Sequence, residues 1–237
     1  MGAIINTAAV IIGGLIGYFA GNLLTERCIE GIHTACGICV IFIGIAGAME
    51  GMLCISDGAI SGGGSMLIIF CLVPGTLIGE IMNLEAGFEN FGEWLKVKTG
   101  NAGDKAFVNA FVTASLTICI GAMAVVGSIQ DGIYGDWSLL AVKSVLDMVI
   151  ILVMTATLGK GAAFSAISIL VFEGIMTAFA GLLQPVLNDT AMDNISMVGS
   201  ILIFCVGMNL VLGRKVRVAN MLPALAFAVI AAYLPWF

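Results

Sequence analysis

Long apolar stretches separated by short polar segments make up most of the chain. A helix needs roughly 20 apolar residues to cross the hydrocarbon core of a bilayer. Eight stretches come near that length, and the third and last are short. The pattern predicts spans over residues 4–24, 34–53, 66–82, 107–129, 138–158, 162–183, 195–212 and 221–237.

Composition agrees with a membrane protein, because 60% of the residues are hydrophobic and 10% are charged. The mean hydropathy is +1.13, whereas a soluble domain carries roughly a quarter charged residues. We therefore expect an all-α integral membrane protein, with a single polytopic domain folded as an eight-helix bundle.

The basic residues fall in alternate loops, and cytoplasmic loops are the ones that collect Lys and Arg. Eight of the nine basic residues lie in the odd-numbered loops, which predicts that both termini are extracytoplasmic. Acidic residues in the opposite loops could form a cation-attracting mouth or be ordinary solvated residues. The third loop has apolar residues at helical spacing, so we predict an amphipathic helix on the inner surface over residues 85–98. The basic loop residues are Arg27, Lys96, Lys98, Lys105, Lys160, Arg214, Lys215 and Arg217.

Two parts of the chain resemble each other. Gly14, Phe19 and Gly21 recur at a constant offset as Gly174, Phe179 and Gly181. The match pairs the first with the sixth span, and a similar match pairs the second with the seventh. Such copies would have opposite orientations, so we predict an inverted internal repeat of the first to third spans against the sixth to eighth.

Glycines at four-residue intervals form faces on two of the predicted helices: Gly13, Gly17 and Gly21 on the first, and Gly75 and Gly79 on the third. Such faces let helices approach closely, within a protomer or between protomers. We expect helix packing at these positions and a homo-oligomer.

Charged residues inside the predicted spans are the strongest functional signal. Lys143 and Asp147 are four residues apart and share a helix face, and Glu173 lies in the next span at a depth comparable to that of Asp147. A charge near the bilayer centre costs about 3 kcal/mol, and such residues usually face a bundle interior or a watery cavity. They could form a structural ion pair or a polar site for a permeating solute; the excess negative charge favours a cation or proton.

Weaker polar signals lie nearby. Ser128 lies at the end of the fourth span, which Gly121 and Gly127 interrupt, and Asp131 follows that span. We predict a kink or an unwound turn between Gly121 and Ser128. Asn6 and Thr7 open the first span, where such residues are site members or simple helix caps. We include Ser128, Asp131, Asn6 and Thr7 in the predicted path.

Five motifs in order resemble the YqgA-like family of bacterial membrane proteins, known as domain of unknown function 554. They are N-x-x-A-V-x-x-G-G-x-x-G from Asn6, GTLIGE from Gly75, G-A-M followed by G-x-x-x-D from Gly121, A-x-K-S-x-x-D from Ala141, and N-M-L-P-A from Asn220. The resemblance implies a bacterial inner-membrane protein and supplies no activity. This chain departs from the family at Glu173, where the relatives carry a neutral amide. The resemblance therefore implies that Lys143 and Asp147 are more important than Glu173 for the family's function.

The residues favour a transporter or channel for a small solute or cation. The alternative is a non-transporting scaffold, assembly or regulatory protein in which Lys143 and Asp147 are a structural pair. With one histidine and no nucleophile or zinc motif, we expect no enzyme, catalytic residue, metal or cofactor. The expected partners are the lipid bilayer and a small cation, proton or solute, with no nucleic acid.

Overall fold

A computed structural model describes residues 1–21, 23, 25–56, 59–119, 122–213 and 215–235. These ranges are almost entirely helical, with one short antiparallel hairpin of β1 (Leu53–Ser56) and β2 (Ala59–Gly62). A 3-10 turn, Lys160–Phe164, precedes α8. The helices are α1 Gly2–Gly21, α2 Glu26–Met52, α3 Ser65–Met82, α4 Leu84–Lys98, α5 Phe107–Cys119, α6 Ala122–Tyr134, α7 Ser138–Leu158, α8 Ser165–Ala178, α9 Ala180–Leu183, α10 Asp189–Leu212, α11 Val218–Met221 and α12 Pro223–Ala231.

The described ranges contain six helical segments long and apolar enough to cross a membrane: α1, α2, α3, α7, α10, and the 3-10 turn continued by α8. A seventh is added if α5 and α6 form one bent span. The last predicted span corresponds to a shorter apolar segment, Val218–Ala231, and its final residues, Trp236 and Phe237, lie outside the described ranges. The all-α membrane fold therefore agrees with the sequence, whereas length and composition identify fewer than eight crossings.

The predicted fourth span is discontinuous. Its two helices, α5 and α6, are bent by 62° from one another. We expected the irregularity between Gly121 and Ser128, but α6 is a regular helix from Ala122 onward, and Gly121 itself lies outside the described residues. Gly127 has a packing role instead, since a β-carbon there would lie 2.8 Å from the Leu140 side chain of α7.

The glycine face of α1 packs directly on the backbone of α7. A β-carbon on Gly13 or Gly17 would overlap the backbone carbonyl of Met148 or Leu152, and one on Gly21 would lie 2.9 Å from the Ala156 carbonyl oxygen. The partners advance by four residues in the same direction, so α1 and α7 are parallel. They are held together along their length by backbone contact.

Two further helix pairs are antiparallel. Gly37 meets Leu210 while Gly51 meets Met197, which aligns α2 against α10. Gly75 and Gly79 of α3 lie against Ala224 and Asn220, which aligns α3 against α11 and α12. The predicted glycine faces on α1 and α3 are thus both filled by helices of the same chain.

These alignments give the molecule two chemically different ends. One, here the basic end, carries the starts of α2, α5 and α8 with Arg27, Lys105 and Lys160. The other, the acidic end, carries the starts of α1 and α7 with Asp131 and Asp136. Helix α4 lies at the basic end, where its Gly92 packs on Phe111 and its Trp94 is exposed.

Candidate functional site

Asn6, Lys143, Asp147 and Glu173 meet inside the bundle, although they come from three different helices. The parallel contact of α1 with α7 places Asn6 beside Asp147. The antiparallel contact of α1 with α8, seen also where Gly14 meets Ala163, brings Glu173 to the same level. We call these four residues the charge cluster.

Asn6 bridges the two carboxylates. Its Nδ2 donates to Asp147 Oδ2 at 2.9 Å and to Glu173 Oε1 at 2.8 Å. Lys143 donates to the same Asp147 oxygen, and its Nζ is 3.6 Å from Glu173 Oε1. Every member therefore contacts at least two others, and the cluster is more than the single Lys–Asp pair expected from spacing.

A backbone carbonyl completes the surroundings of the ammonium. Lys143 Nζ donates to the carbonyl oxygen of Ile118 at 2.8 Å. Ile118 lies in the last turn of α5, where carbonyl groups have no partner within the helix and carry the negative end of the helix dipole. The break between α5 and α6 thus presents a negative helix terminus to a cation inside the membrane domain.

The cluster is closed to its surroundings. Asn6 and Glu173 are 0% exposed, Asp147 is 4% and Lys143 is 6% exposed. Within the described residues, Glu173 Oε2 and Asn6 Oδ1 have no hydrogen-bond partner. With both carboxylates ionised, the group carries one negative charge more than positive, and two of its oxygens can accept further bonds.

An apolar layer lies on the basic side of the cluster. Val10 follows Asn6 by one turn, Ile151 follows Asp147 by one turn, and Ile169 precedes Glu173 by one turn on the opposed helix. All three are 0% exposed and belong to one packed group. We call them the apolar seal, since they separate the cluster from the basic end between α1, α7 and α8.

The other residues predicted for the path lie apart from the cluster. Asp131 Oδ2 accepts from the amino group of Met1 at 2.7 Å and from Gly2 N at 2.8 Å, nearer the acidic end. Ser128 is fully buried. Thr7 donates to the carbonyl of Ala3 in its own helix, which is the local role that its position at the helix start allowed.

Asp136 lies in the exposed turn before α7. Ser138 donates to it through both its hydroxyl and its backbone N–H, and these bonds hold the pKa of the Asp136 carboxyl below its ordinary value. This carboxylate contributes negative charge to the acidic end and takes no part in the charge cluster.

Sequence reasoning missed the Ile118 carbonyl and the apolar seal. A backbone carbonyl has no signature in a sequence, although the glycine after α5 signalled that the span would be interrupted. Val10, Ile151 and Ile169 could have been found from their one-turn offsets to Asn6, Asp147 and Glu173, once the three helices were known to pack together. Within the described ranges, no three His, Cys, Asp or Glu side chains form a group that could hold a metal ion.

The fold and the cluster define a polytopic α-helical membrane protein with ionisable side chains buried between its helices. The chain belongs to the family described as protein of unknown function (DUF554), whose profile matches residues 1–233. It is 27% identical to an uncharacterized membrane protein, YdfK, of Bacillus subtilis (strain 168), over 94% of this chain and 92% of that protein. It is also 27% identical to an uncharacterized protein, YqgA, of Escherichia coli (strain K12), over 100% of this chain and 99% of that protein. No solved structure gives a significant match.

Proposed function

We propose that this protein is a membrane transporter for a small cation or for protons, with the charge cluster as its binding site. The observation that carries the proposal is the meeting of two carboxylates and a helix-terminal carbonyl around a single buried ammonium, with the Asn6 amide bridging the two carboxylates. Discontinuous helices that present backbone carbonyls to cations inside the membrane recur in secondary transporters.

The charge balance supports a cation over an anion. One ammonium faces two carboxylates, and Glu173 Oε2 and Asn6 Oδ1 can still accept. Ionisable residues inside membrane domains are costly and generally mark ion or proton pathways. A proton or a small cation would remove the remaining negative charge, whereas an anion would add to it.

We also propose eight crossings of a bacterial inner membrane, with both termini extracytoplasmic. In this scheme α5 and α6 are one crossing, and α11 with α12 form a short eighth. The parallel packing of α1 with α7 and the antiparallel packing of α2 with α10 and α3 with α12 are the directions that this order requires. The basic end then faces the cytoplasm, as the positive-inside rule demands, and exposed Trp94 of α4 lies in the inner lipid surface.

An inverted repeat fits the helix packing. Gly44 of α2 lies against Phe204 of α10, and Gly207 of α10 lies against Ile41 of α2. The sequence match that pairs the second with the seventh span aligns Phe42 with Phe204 and Gly44 with Gly207, so the two contacts are near-reciprocal. Such reciprocity is expected around a two-fold axis in the membrane plane. The glycine faces pack within the chain, so the homo-oligomer stays a prediction that they do not support.

A structural role is the second candidate, and the burial of the cluster favours it. Lys143 and Asp147 bond each other from successive turns of one helix, and each is less than a tenth exposed. A scaffold protein would need this pair only to fix α7 against its neighbours.

Flux measurements in proteoliposomes separate the two candidates. Purified protein would be tested with a panel of monovalent and divalent cations and with a pH gradient read by an entrapped dye. We expect Asp147→Asn to abolish flux while the protein still folds, and Asp193→Asn, at an exposed position on α10, to leave it unchanged. A Lys143→Met, Asp147→Leu protein that is stable and transports normally would refute the binding-site role.

A further inference from the structure

A cavity lies at the basic end, between α4, α5, α10 and α11. Its volume is about 130 Å³, enough for several water molecules. Polar groups line part of it, among them Glu85, Asn109, Thr113 and Asn209. Neither the predicted path nor the charge cluster includes this cavity.

The cavity adjoins a hollow at the surface of the basic end. That hollow has a volume of about 530 Å³ and a wall that carries Glu89, Lys215 and Arg217. Glu85 and Val216 line both spaces. The two spaces therefore share a wall.

Hydrogen bonds fix the walls of this region. Asn209 holds the segment after α10, because its Nδ2 donates to the Val216 carbonyl at 2.7 Å and its Oδ1 accepts from Lys215 N and Val216 N, each at 2.9 Å. Glu85 Oε2 accepts from Ala219 N at 3.1 Å, and Glu85 N donates to Asn220 Oδ1 at 2.7 Å. These bonds tie α4, α10 and α11 around the cavity mouth.

Helix α5 lines the cavity with one face and contacts the charge cluster through its last turn. Asn109, Thr113 and Leu116 line the cavity at intervals of four and three residues, which places them on the same side of the helix. Ile118, whose carbonyl binds Lys143, follows Leu116 by two residues, a rise of roughly 3 Å. Residues two apart in a helix lie on nearly opposite sides, so the last turn of α5 lies between the cavity and the ammonium.

We propose that this cavity is the cytoplasmic entrance to the charge cluster, and that Leu116 with the last turn of α5 closes it in the present conformation. The inference rests on the proposed function and restricts the substrate to a small cation or a proton, because a larger solute would not fit. The route between α1, α7 and α8 is blocked by the apolar seal, which leaves the α5 face as the polar approach from the basic end.

Cysteine accessibility tests the route without a transport assay. In a background without the seven native cysteines, Thr113→Cys and Leu116→Cys would be exposed to the impermeant cationic reagent MTSET and its anionic counterpart MTSES, in inside-out vesicles and in spheroplasts. Ala114→Cys is the matched control, since Ala114 lies on the same helix, is 0% exposed and does not line the cavity. Buried thiols react slowly, so we expect Thr113→Cys to react with MTSET from the cytoplasmic side at least about tenfold faster than the control.

MTSET should also react faster than MTSES, because the two acidic and two basic side chains of the surface hollow balance and the route leads to a net negative cluster. Reaction of Thr113→Cys at the control rate, or from the outer side alone, would overturn the entrance. So would a labelled Thr113→Cys protein with undiminished cation flux in proteoliposomes. If the unlabelled wild-type protein moves no cation, the proposed function fails, and the labelling rates still decide whether the cavity opens to the cytoplasm.

Discussion

Removal of Lys143 should destabilise the fold more than removal of either of its carboxylate partners. The ammonium contacts Asp147, Glu173 and the Ile118 carbonyl. In Lys143→Met, the two carboxylates remain buried and linked through Asn6 with no positive charge between them. In Asp147→Asn, by contrast, Lys143 keeps Glu173 and the charges in the cluster balance.

The expected magnitudes follow from that difference. Leaving a buried charge without its partner costs about 3–5 kcal/mol, and Lys143→Met should fall in that range. Loss of one hydrogen bond to a charged group costs roughly 1.5–3 kcal/mol, which is our expectation for Asp147→Asn. The Lys143→Met, Asp147→Leu protein should be more stable than Lys143→Met alone, since it leaves only Glu173, which can take up a proton.

The free energy of unfolding can be measured by titrating dodecyl maltoside micelles with SDS and following far-ultraviolet circular dichroism. Asp193→Asn serves as the control for a carboxylate-to-amide change at an exposed position. Equal losses for Lys143→Met and Asp147→Asn would contradict the shared role of the ammonium. A double variant less stable than Lys143→Met would show that the carboxylate of Asp147 is not the stranded charge.

Three further predictions concern the packing, the seal and the topology. Gly17→Val should lower the free energy of unfolding by about 1–3 kcal/mol or more, because the new side chain would overlap the Leu152 carbonyl. Gly174→Ala, where a β-carbon would meet nothing within 4 Å, should leave that free energy unchanged or raise it by up to about 1 kcal/mol in the same SDS titration. Ile151→Ala should lower stability by about 2–5 kcal/mol through the cavity left in the apolar seal; a loss near zero would mean that the seal is not packed. Single cysteines at Lys96 and Asp136 should react with an impermeant reagent from the cytoplasmic and the outer side respectively, and reaction at position 96 from outside would refute the proposed orientation.

The helices could be predicted largely because hydrophobic length is a strong local signal. The spans at 66–82 and 138–158 differ from α3 and α7 by at most one residue at each end. Helix α2 begins earlier than predicted, at Glu26, because the Thr25 hydroxyl accepts from Cys28 N and caps it. Helix α12 is shorter than its predicted span, since residues 232–235 form turns and a bend.

Sequence reasoning could identify the ionisable residues of the site but not the groups that bind them. An ionisable side chain in an apolar run is costly wherever it is, so Lys143, Asp147 and Glu173 stand out without knowledge of the fold. Which groups satisfy that cost depends on contacts between helices far apart in sequence. Asn6 could have been a cap; backbone contact of Gly13 and Gly17 with α7 fixes the register that brings its amide to Asp147. The Ile118 carbonyl is available because α5 ends there, so the helix break and the lysine form a single feature.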